Sequence, residues 1–451
     1  MPPELDDLRR RLSSIVGGEQ VGQGAAAAGF SVDGVAPGLV VRPRSQEEVQ
    51  AVAIACGAAG VAVIPWGGGT AMGLGNPPSR LDVVVCLDRL ARIVELDEAN
   101  LYVSAEAGVR LAQLQSVAAG KREFLPLDPP QADRVTVGGL VAANSSGPSR
   151  LLHGTARDWV LGLRVVLPDG ERICCGGKVV KNVSGYDMNK LFVGSMGTLG
   201  IVTEVTFKLL PVPATRATVV GLFRELPPVA AVVARALKSQ LLPEAMEALD
   251  CHALQAVGPA RGLAEPAAYG LAVALAGSRE NVERQVRDFT RLHAESRAIA
   301  TTTLGEAQGA AAWRAMADVQ AGLGATPAQR VVVKIAVPIA RTLGLLSSAE
   351  RLARRHGWRA AITAHAGSGV VRAGYLVDGA TLESFRDGLW DLRDEAEGAS
   401  GSLVVEAAPA ELKRSLDAWG RPPEAAAVMR RLKAEFDPRG LMSPGRFLAG
   451  I

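Results

Sequence analysis

Two periodicities alternate along the first half of this chain. Gly38-Leu-Val-Val-Arg-Pro43 is a short apolar run closed by proline and predicts a strand. Ser45 then reads as a helix cap, with Glu48 completing a capping box. Val49, Val52, Ala53 and Cys56 follow at helical spacing until Gly57 or Gly60 ends the pattern. Val61 to Ile64 predicts the next strand, and Arg92–Leu96 with Tyr102–Ala105 a strand pair around Asp97-Glu98-Ala99-Asn100. Leu161–Leu167 and Glu171–Cys175 predict a hairpin across Pro168-Asp169-Gly170. Gly200 to Leu210 is rich in β-branched residues and stops at Pro211-Val212-Pro213, which reads as a boundary. Beyond it, residues 214–400 are rich in Ala and Leu at helical spacing, broken by short apolar strands such as Leu271–Leu275 and Val331–Val337. The last fifty residues hold a helix predicted over Pro423 to Phe436.

Residues 65–75, Pro-Trp-Gly-Gly-Gly-Thr-Ala-Met-Gly-Leu-Gly, are the most distinctive stretch. Glycines there let successive backbone N–H groups converge on one concavity, and the usual guest of such a nest is a phosphate. The alternative is a plain surface loop. The spacing fails the dinucleotide fingerprint because Met72 stands where its third glycine belongs, and Asn76-Pro77-Pro78 breaks any following helix. It fails the P-loop because Leu74 stands where the lysine belongs.

Composition narrows the class. The chain has 451 residues, 48% of them hydrophobic, with 49 basic and 46 acidic side chains. That is enough for two or three domains, and no basic stripe with interleaved aromatics points to nucleic acid. The opening residues carry Glu4, Asp6 and Asp7 and do not read as a signal peptide, and the apolar run Val49–Ile64, cut by Gly57 and Gly60, is too short to span a bilayer. The expectation is a cytoplasmic protein without a transmembrane segment, reaching the inner membrane only through partners. Five cysteines include no Cys-x-x-Cys, which argues against zinc or an iron–sulfur cluster within the chain.

Four segments line up in order: the loop 65–75; Thr136-Val-Gly-Gly-Leu-Val-Ala-Ala-Asn-Ser-Ser-Gly147; His153-Gly-Thr-Ala-Arg-Asp-Trp-Val-Leu-Gly162; and Gly177-Lys-Val-Val-Lys-Asn-Val-Ser-Gly-Tyr-Asp187 running on to Gly194–Glu204. Together they resemble the PCMH-type FAD-binding domain of the vanillyl-alcohol-oxidase superfamily. The nearest likeness is to the FAD subunits of bacterial glycolate oxidase and related D-lactate and D-2-hydroxyacid dehydrogenases. Phe436-Asp-Pro-Arg-Gly-Leu-Met-Ser-Pro-Gly-Arg-Phe447 is similar to that group's ending. The resemblance implies an α+β protein. A helical segment (1–36) precedes a two-subdomain FAD domain (37–213). An α+β cap with a mainly antiparallel sheet (214–400) follows, and 401–451 returns to the FAD domain. It implies that Trp66, Gly67, Gly68, Gly69 and Thr70 meet the FAD diphosphate. Val137, Gly138 and Gly139 would allow close approach, Asn144, Ser146 and Gly147 would bond the cofactor, and Ile201 and Val202 would line it. Lys181 reads as a phosphate contact or a solvated lysine. Arg157-Asp158 reads as a brace or a structural ion pair, and His153 as a flavin-linked or a merely hydrogen-bonded loop histidine. No histidine or cysteine near the loop offers covalent attachment, so FAD is expected to be non-covalent.

Catalytic members of that group carry His-x-Gly-Asp-Gly-Asn-x-His and a later Glu-His-Gly, which bind a divalent metal and supply the base. This chain has His365-Ala-Gly-Ser-Gly-Val-Val-Arg372 and, later, Val404-Val-Glu-Ala-Ala408. His365 and Glu406 remain, while Ser368, Val370, Arg372 and Ala407 replace the other polar positions. No metal is expected, and Arg372 and Lys334 read as carboxylate-binding cations or as exposed ones. The resemblance points to the accessory FAD subunit of a 2-hydroxyacid oxidase complex, with an iron–sulfur subunit and a second FAD subunit as partners. The rivals are a self-sufficient FAD-dependent D-lactate, 2-hydroxyacid or alcohol dehydrogenase, and a non-catalytic scaffold.

Overall fold

A computed structural model describes residues 3–178, 186–257, 267–324, 329–377 and 382–451. The chain divides into two compact units. The first holds residues 1–145, 155–212 and 413–451, and the second residues 146–154 and 213–412. The main passage between them falls inside the Pro211-Val212-Pro213 run.

Among the described residues the first unit contains two larger sheets and one two-stranded pair. One joins β1 (Val21–Gln23), β2 (Leu39–Val41), β3 (Val63–Trp66) and β4 (Val83–Cys86) in the order β1-β2-β4-β3, with β2, β4 and β3 parallel. β2 and β4 are buried at every residue, as their unbroken apolar runs require of strands covered on both faces. The helix Gln46–Ala59 covers one side with Val49, Val52 and Cys56. Ser45 caps it by accepting the Glu48 N–H, and Gly60 ends it in the left-handed conformation. The return bond of the box goes one residue further than expected: Glu48 accepts from the Arg44 N–H. The helix Pro3–Val16 adds Leu8 and Leu12 to the same core.

The second sheet is antiparallel. It runs β5 (Ile93–Asp97), β6 (Tyr102–Glu106), β10 (Ile201–Lys208), β8 (Val160–Val166) and β9 (Arg172–Gly176), in that order, while β7 (Glu123–Phe124) pairs with β11 (Leu210–Pro211). The strands expected from the apolar pattern all form, with ends shifted by one or two residues. The C-terminal helix begins at Ala426 rather than Pro423. Residues 179–185, which include Lys181, lie outside the described residues.

The second unit is built on one eight-stranded antiparallel sheet: β12 (Thr215–Phe223), β13 (Ala245–Asp250), β14 (Tyr269–Gly277), β15 (Ala300–Leu304), β16 (Arg330–Ala336), β17 (Arg359–His365), β18 (Val370–Leu376) and β19 (Ser402–Ala407). Their order is β15-β12-β14-β13-β17-β18-β16-β19. Amphipathic helices such as Arg279–Glu295 and Thr342–His356 bury their apolar stripes against it. The fold is α+β, as the sequence implies.

Candidate functional site

In the first unit the glycine loop leaves β3 at Trp66. Its conformation is dictated by what surrounds it. A Cβ on Gly68 would overlap the Arg134 carbonyl oxygen, and one on Gly67 the Thr136 hydroxyl. Gly69 has φ +71°, and a Cβ there would press on the Trp66 ring at 2.9 Å. Trp66 is itself held edge-on by Phe30, 5.0 Å away. No side chain but hydrogen fits, so the glycines follow from close packing and backbone sign together.

The loop's polar groups separate by type. Its carbonyls turn inward: Met72 and Leu74 accept from Arg446 Nη2 at 3.0 and 2.6 Å, and Gly73 accepts from Lys413 Nζ. The amides of Gly67, Gly68, Gly69 and Thr70 have no hydrogen-bond partner among the described residues. Arg446 and Lys413 are buried and face the single carboxylate of Asp33, whose oxygens lie 3.0 and 2.9 Å from Lys413 Nζ. Burial lowers the Lys413 pKa and pulls Arg446 down to about 10, with Asp33 opposing both shifts. Two cations facing one anion leave net positive charge against the Met72–Leu74 end of a loop whose Gly67–Thr70 N–H donors are open among the described residues. That suits a diphosphate, since hydrogen bonds to charged groups contribute roughly 1.5–3 kcal/mol each.

The segment after Thr136 forms a wall, and its first-turn amides are already occupied. The Val137 and Gly138 N–H groups donate to the Val109 and Ala107 carbonyls, and the Gly139 N–H to Thr136 Oγ1. Gly138 is glycine because a Cβ there would lie 2.6 Å from the Ala107 Cβ. Contact with a ligand through these three amides is therefore closed. The helix Val137–Ala143 ends on Asn144 at φ 47°, whose buried Oδ1 has no partner among the described residues. Ile201 and Val202 are buried at the start of β10 in two separate apolar clusters. Ser146 and Gly147 belong to the second unit, where both accept from Arg150. Arg157 and Asp158 do not pair: Arg157 donates to the Lys190 carbonyl, and Asp158 caps the turn at Thr155. Cys86 sits beside Trp66 in the ladder, but burial pushes its thiol up to about 12, which removes it as a nucleophile.

In the second unit, strand register gathers the other candidates. Arg372 on β18 lies between Thr363 of β17 and Lys334 of β16, and Glu247 of β13 lies opposite His365 of β17. Successive same-face positions recur every two residues, so these side chains share one face. Glu406 sits where β19 bulges against β16. Its Oε2 accepts from Arg372 Nε at 3.1 Å and Nη2 at 2.7 Å. Burial pushes its carboxyl up, but the charges of Arg372 and Lys334, with His365 adding, bring it below the usual range. His365 Nδ1 is 2.5 Å from the buried Glu247 carboxylate. His153 is bonded in the same way to Glu244 at 3.0 Å, with Arg216 beside it. Arg372 and Lys334 are half-buried rather than exposed. Among the described residues no group of three or more His, Cys, Asp or Glu is placed to hold a metal.

Sequence reading missed Asp33, Lys413 and Glu247, and Thr136 was in view only as the start of its segment. Arg446 was in view only as part of the C-terminal Ser-Pro-Gly-Arg. That run lies against β3: the Ser443 N–H donates to the Val63 carbonyl and the Val63 N–H to Leu441.

Residues 37–176 match the model of an FAD binding domain, and residues 212–447 that of the FAD linked oxidases, C-terminal domain. Glycolate oxidase subunit GlcD of Bacillus subtilis is 29% identical over 92% of this chain and 89% of its own length. An uncharacterized FAD-linked oxidoreductase of Mycobacterium tuberculosis is 30% identical over 91% and 90%. D-2-hydroxyglutarate dehydrogenase of Stutzerimonas stutzeri is 27% identical over 92% and 91%. Among solved structures, 4-ethylphenol oxidase from Gulosibacter chungangensis superimposes with a TM-score of 0.76 at 17% identity, covering 99% of this chain and 97% of that one, a likeness of fold. With one family model spanning more than half the chain and both matching in order, the chain belongs to the FAD-linked oxidases and is a flavoprotein oxidoreductase acting on CH–OH donors.

Proposed function

We propose that this chain is the FAD-binding subunit of a complex that oxidises glycolate or a related D-2-hydroxyacid and passes the electrons to an iron–sulfur polypeptide, a second FAD subunit completing the assembly. FAD, when bound, supplies the acceptor for the two electrons and the hydrogen leaving the hydroxyl-bearing carbon. The residues of this chain fit that group. Gly67, Gly68, Gly69 and Thr70 offer N–H donors to its diphosphate, Lys413 and Arg446 hold the loop carbonyls back, and Asn144 Oδ1 is a buried acceptor awaiting a donor. The holding is non-covalent, since the one cysteine in the adjoining strand is a buried thiol.

The accessory role is carried by one observation: Glu406 is tied by two bonds to Arg372, so neither is poised to take a hydroxyl proton. The five cysteines lack any Cys-x-x-Cys, so the electrons leave to oxygen or to another polypeptide, and the family resemblance favours the polypeptide. No helix among the described residues is long and apolar enough to cross a membrane, in keeping with a cytoplasmic protein that meets the inner membrane through partners. Anaerobic mixing of the purified chain with glycolate and D-lactate tests the role. The flavin band should persist until partner subunits are added; bleaching by the chain alone overturns the accessory reading. The second reading, a self-sufficient dehydrogenase, is favoured by the D-2-hydroxyglutarate dehydrogenase that matches over nearly its full length.

A further inference from the structure

The charged face of the eight-stranded sheet carries two carboxylates, Glu247 and Glu406, and of these Glu406 acts on Lys334. Lys334 stands between Arg372 and Val404 in the ladder. Its ammonium makes no hydrogen bond or ion pair among the described residues. Burial lowers its pKa, Glu406 opposes the shift, and Arg150 and Arg372 add to it. Glu406, the carboxylate that acts on it, already accepts two bonds from Arg372 through Oε2, with Oε1 outside that contact, so its charge is shared between the two cations. Lys334, Arg372 and Arg150 thus act around one shared carboxylate, the second carboxylate of the face, Glu247, being bonded to His365. A half-buried ammonium with no partner is destabilising, and a site that holds one gains by admitting a negative charge.

A divalent ion does not fit the same place. His365 offers at most Nε2, its Nδ1 being bonded to Glu247; Glu406 is bonded to the guanidinium, and Arg372 brings a permanent positive charge. An incoming metal would meet two resident cations and no third ligand. The guanidinium instead fixes Glu406 and keeps it from closing onto Lys334.

We propose that Lys334, backed by Arg150 and Arg372, binds the carboxylate of a small organic acid on this face without any metal ion. That the acid is a 2-hydroxyacid rests on the function proposed above; the anion site does not.

The test is calorimetric titration of the FAD-loaded protein with oxamate, a non-oxidisable carboxylate, before and after EDTA treatment. Wild-type protein should bind oxamate with an affinity that chelation leaves unchanged. Lys334→Met should weaken binding at least tenfold, with the ligand-free melting temperature equal or raised, because an unpaired charge is removed. Lys334→Arg should retain most of the affinity and keeps the inference testable if the methionine variant fails to fold. Equal binding by Lys334→Met, or loss of oxamate binding after EDTA, overturns it. So does uptake of one Mn²⁺ per chain read by electron paramagnetic resonance. Flavin absorbance on the same samples separates the two proposals. A colourless protein with Lys334-dependent oxamate binding defeats the function reading alone, and a yellow protein that ignores oxamate defeats this inference alone.

Discussion

The glycine loop of the first unit and the charged face of the second are made of different material. In the loop the working groups are backbone amides, and position is enforced by the absence of side chains: Gly67 and Gly68 have no room for a Cβ. On the sheet face the working groups are side chains, set two residues apart on paired strands whose backbone is already satisfied. Replacing a residue in the loop alters the frame. Replacing one on the face alters the chemistry and leaves the frame standing. That difference would let a chain keep its glycine loop while the polar positions expected from the resemblance become Ser368, Val370, Arg372 and Ala407.

The comparison breaks most directly at Gly68. Gly68→Leu should abolish FAD retention and destabilise the first unit, since overpacking a closed site costs about 1–3 kcal/mol. Flavin absorbance after gel filtration and a melting curve check it; a variant that stays yellow means the loop is not where the diphosphate lies. Next is the brace beneath. Arg446→Met leaves the Met72 and Leu74 carbonyls without their donor and halves the buried positive charge. Losing hydrogen bonds to a charged group at roughly 1.5–3 kcal/mol each should raise the FAD dissociation constant about 10–100-fold. Fluorescence titration of the apoprotein reads it, and an unchanged constant removes Arg446 from the site. Asn144→Gly, which tolerates φ 47°, removes one buried acceptor and should cost about tenfold or less in the same titration, with little loss of stability in the FAD-free protein because that atom has no partner among the described residues. A fall in apoprotein stability would show that Asn144 serves the fold instead.

What was legible in the sequence follows the same division. The loop announced itself because a backbone requirement can be met only by glycine, so Gly67, Gly68 and Gly69 record it directly. Its brace was silent, because Asp33 and Lys413 meet from 380 positions apart and nothing local marks either. The glycines of the segment after Thr136 were visible, but the use of its amides was not readable: the Val137 and Gly138 donors go to Val109 and Ala107, an outcome of tertiary pairing. On the sheet face the residue types were visible through the resemblance, and their pairing was not. Nothing local to Glu247 says it lies opposite His365, because β13 and β17 are neighbours only through the strand order. Likewise the turn of Glu406 toward Arg372 depends on a bulge between β16 and β19 that no spacing rule foretells.

The smallest effect is expected at Arg372, and it is the finest probe of the contrast. Arg372 reaches Glu406 with two donors of one planar fork, Nε and Nη2, and touches the Ala317 carbonyl with Nη1 at 3.4 Å. Arg372→Lys keeps the charge but replaces the fork with a point donor on a flexible stem. Glu406 then gains freedom to turn toward Lys334 and compete with an incoming carboxylate. Oxamate affinity should fall about two- to threefold, small because the net charge of the face is unchanged and screening by partial exposure weakens each pair. FAD binding should stay at the wild-type value, because no backbone donor of the loop has changed. If Arg372→Lys instead releases FAD, the two sites are not made of separable material. If oxamate binding vanishes altogether, the guanidinium itself, rather than Lys334, is the group that receives the acid.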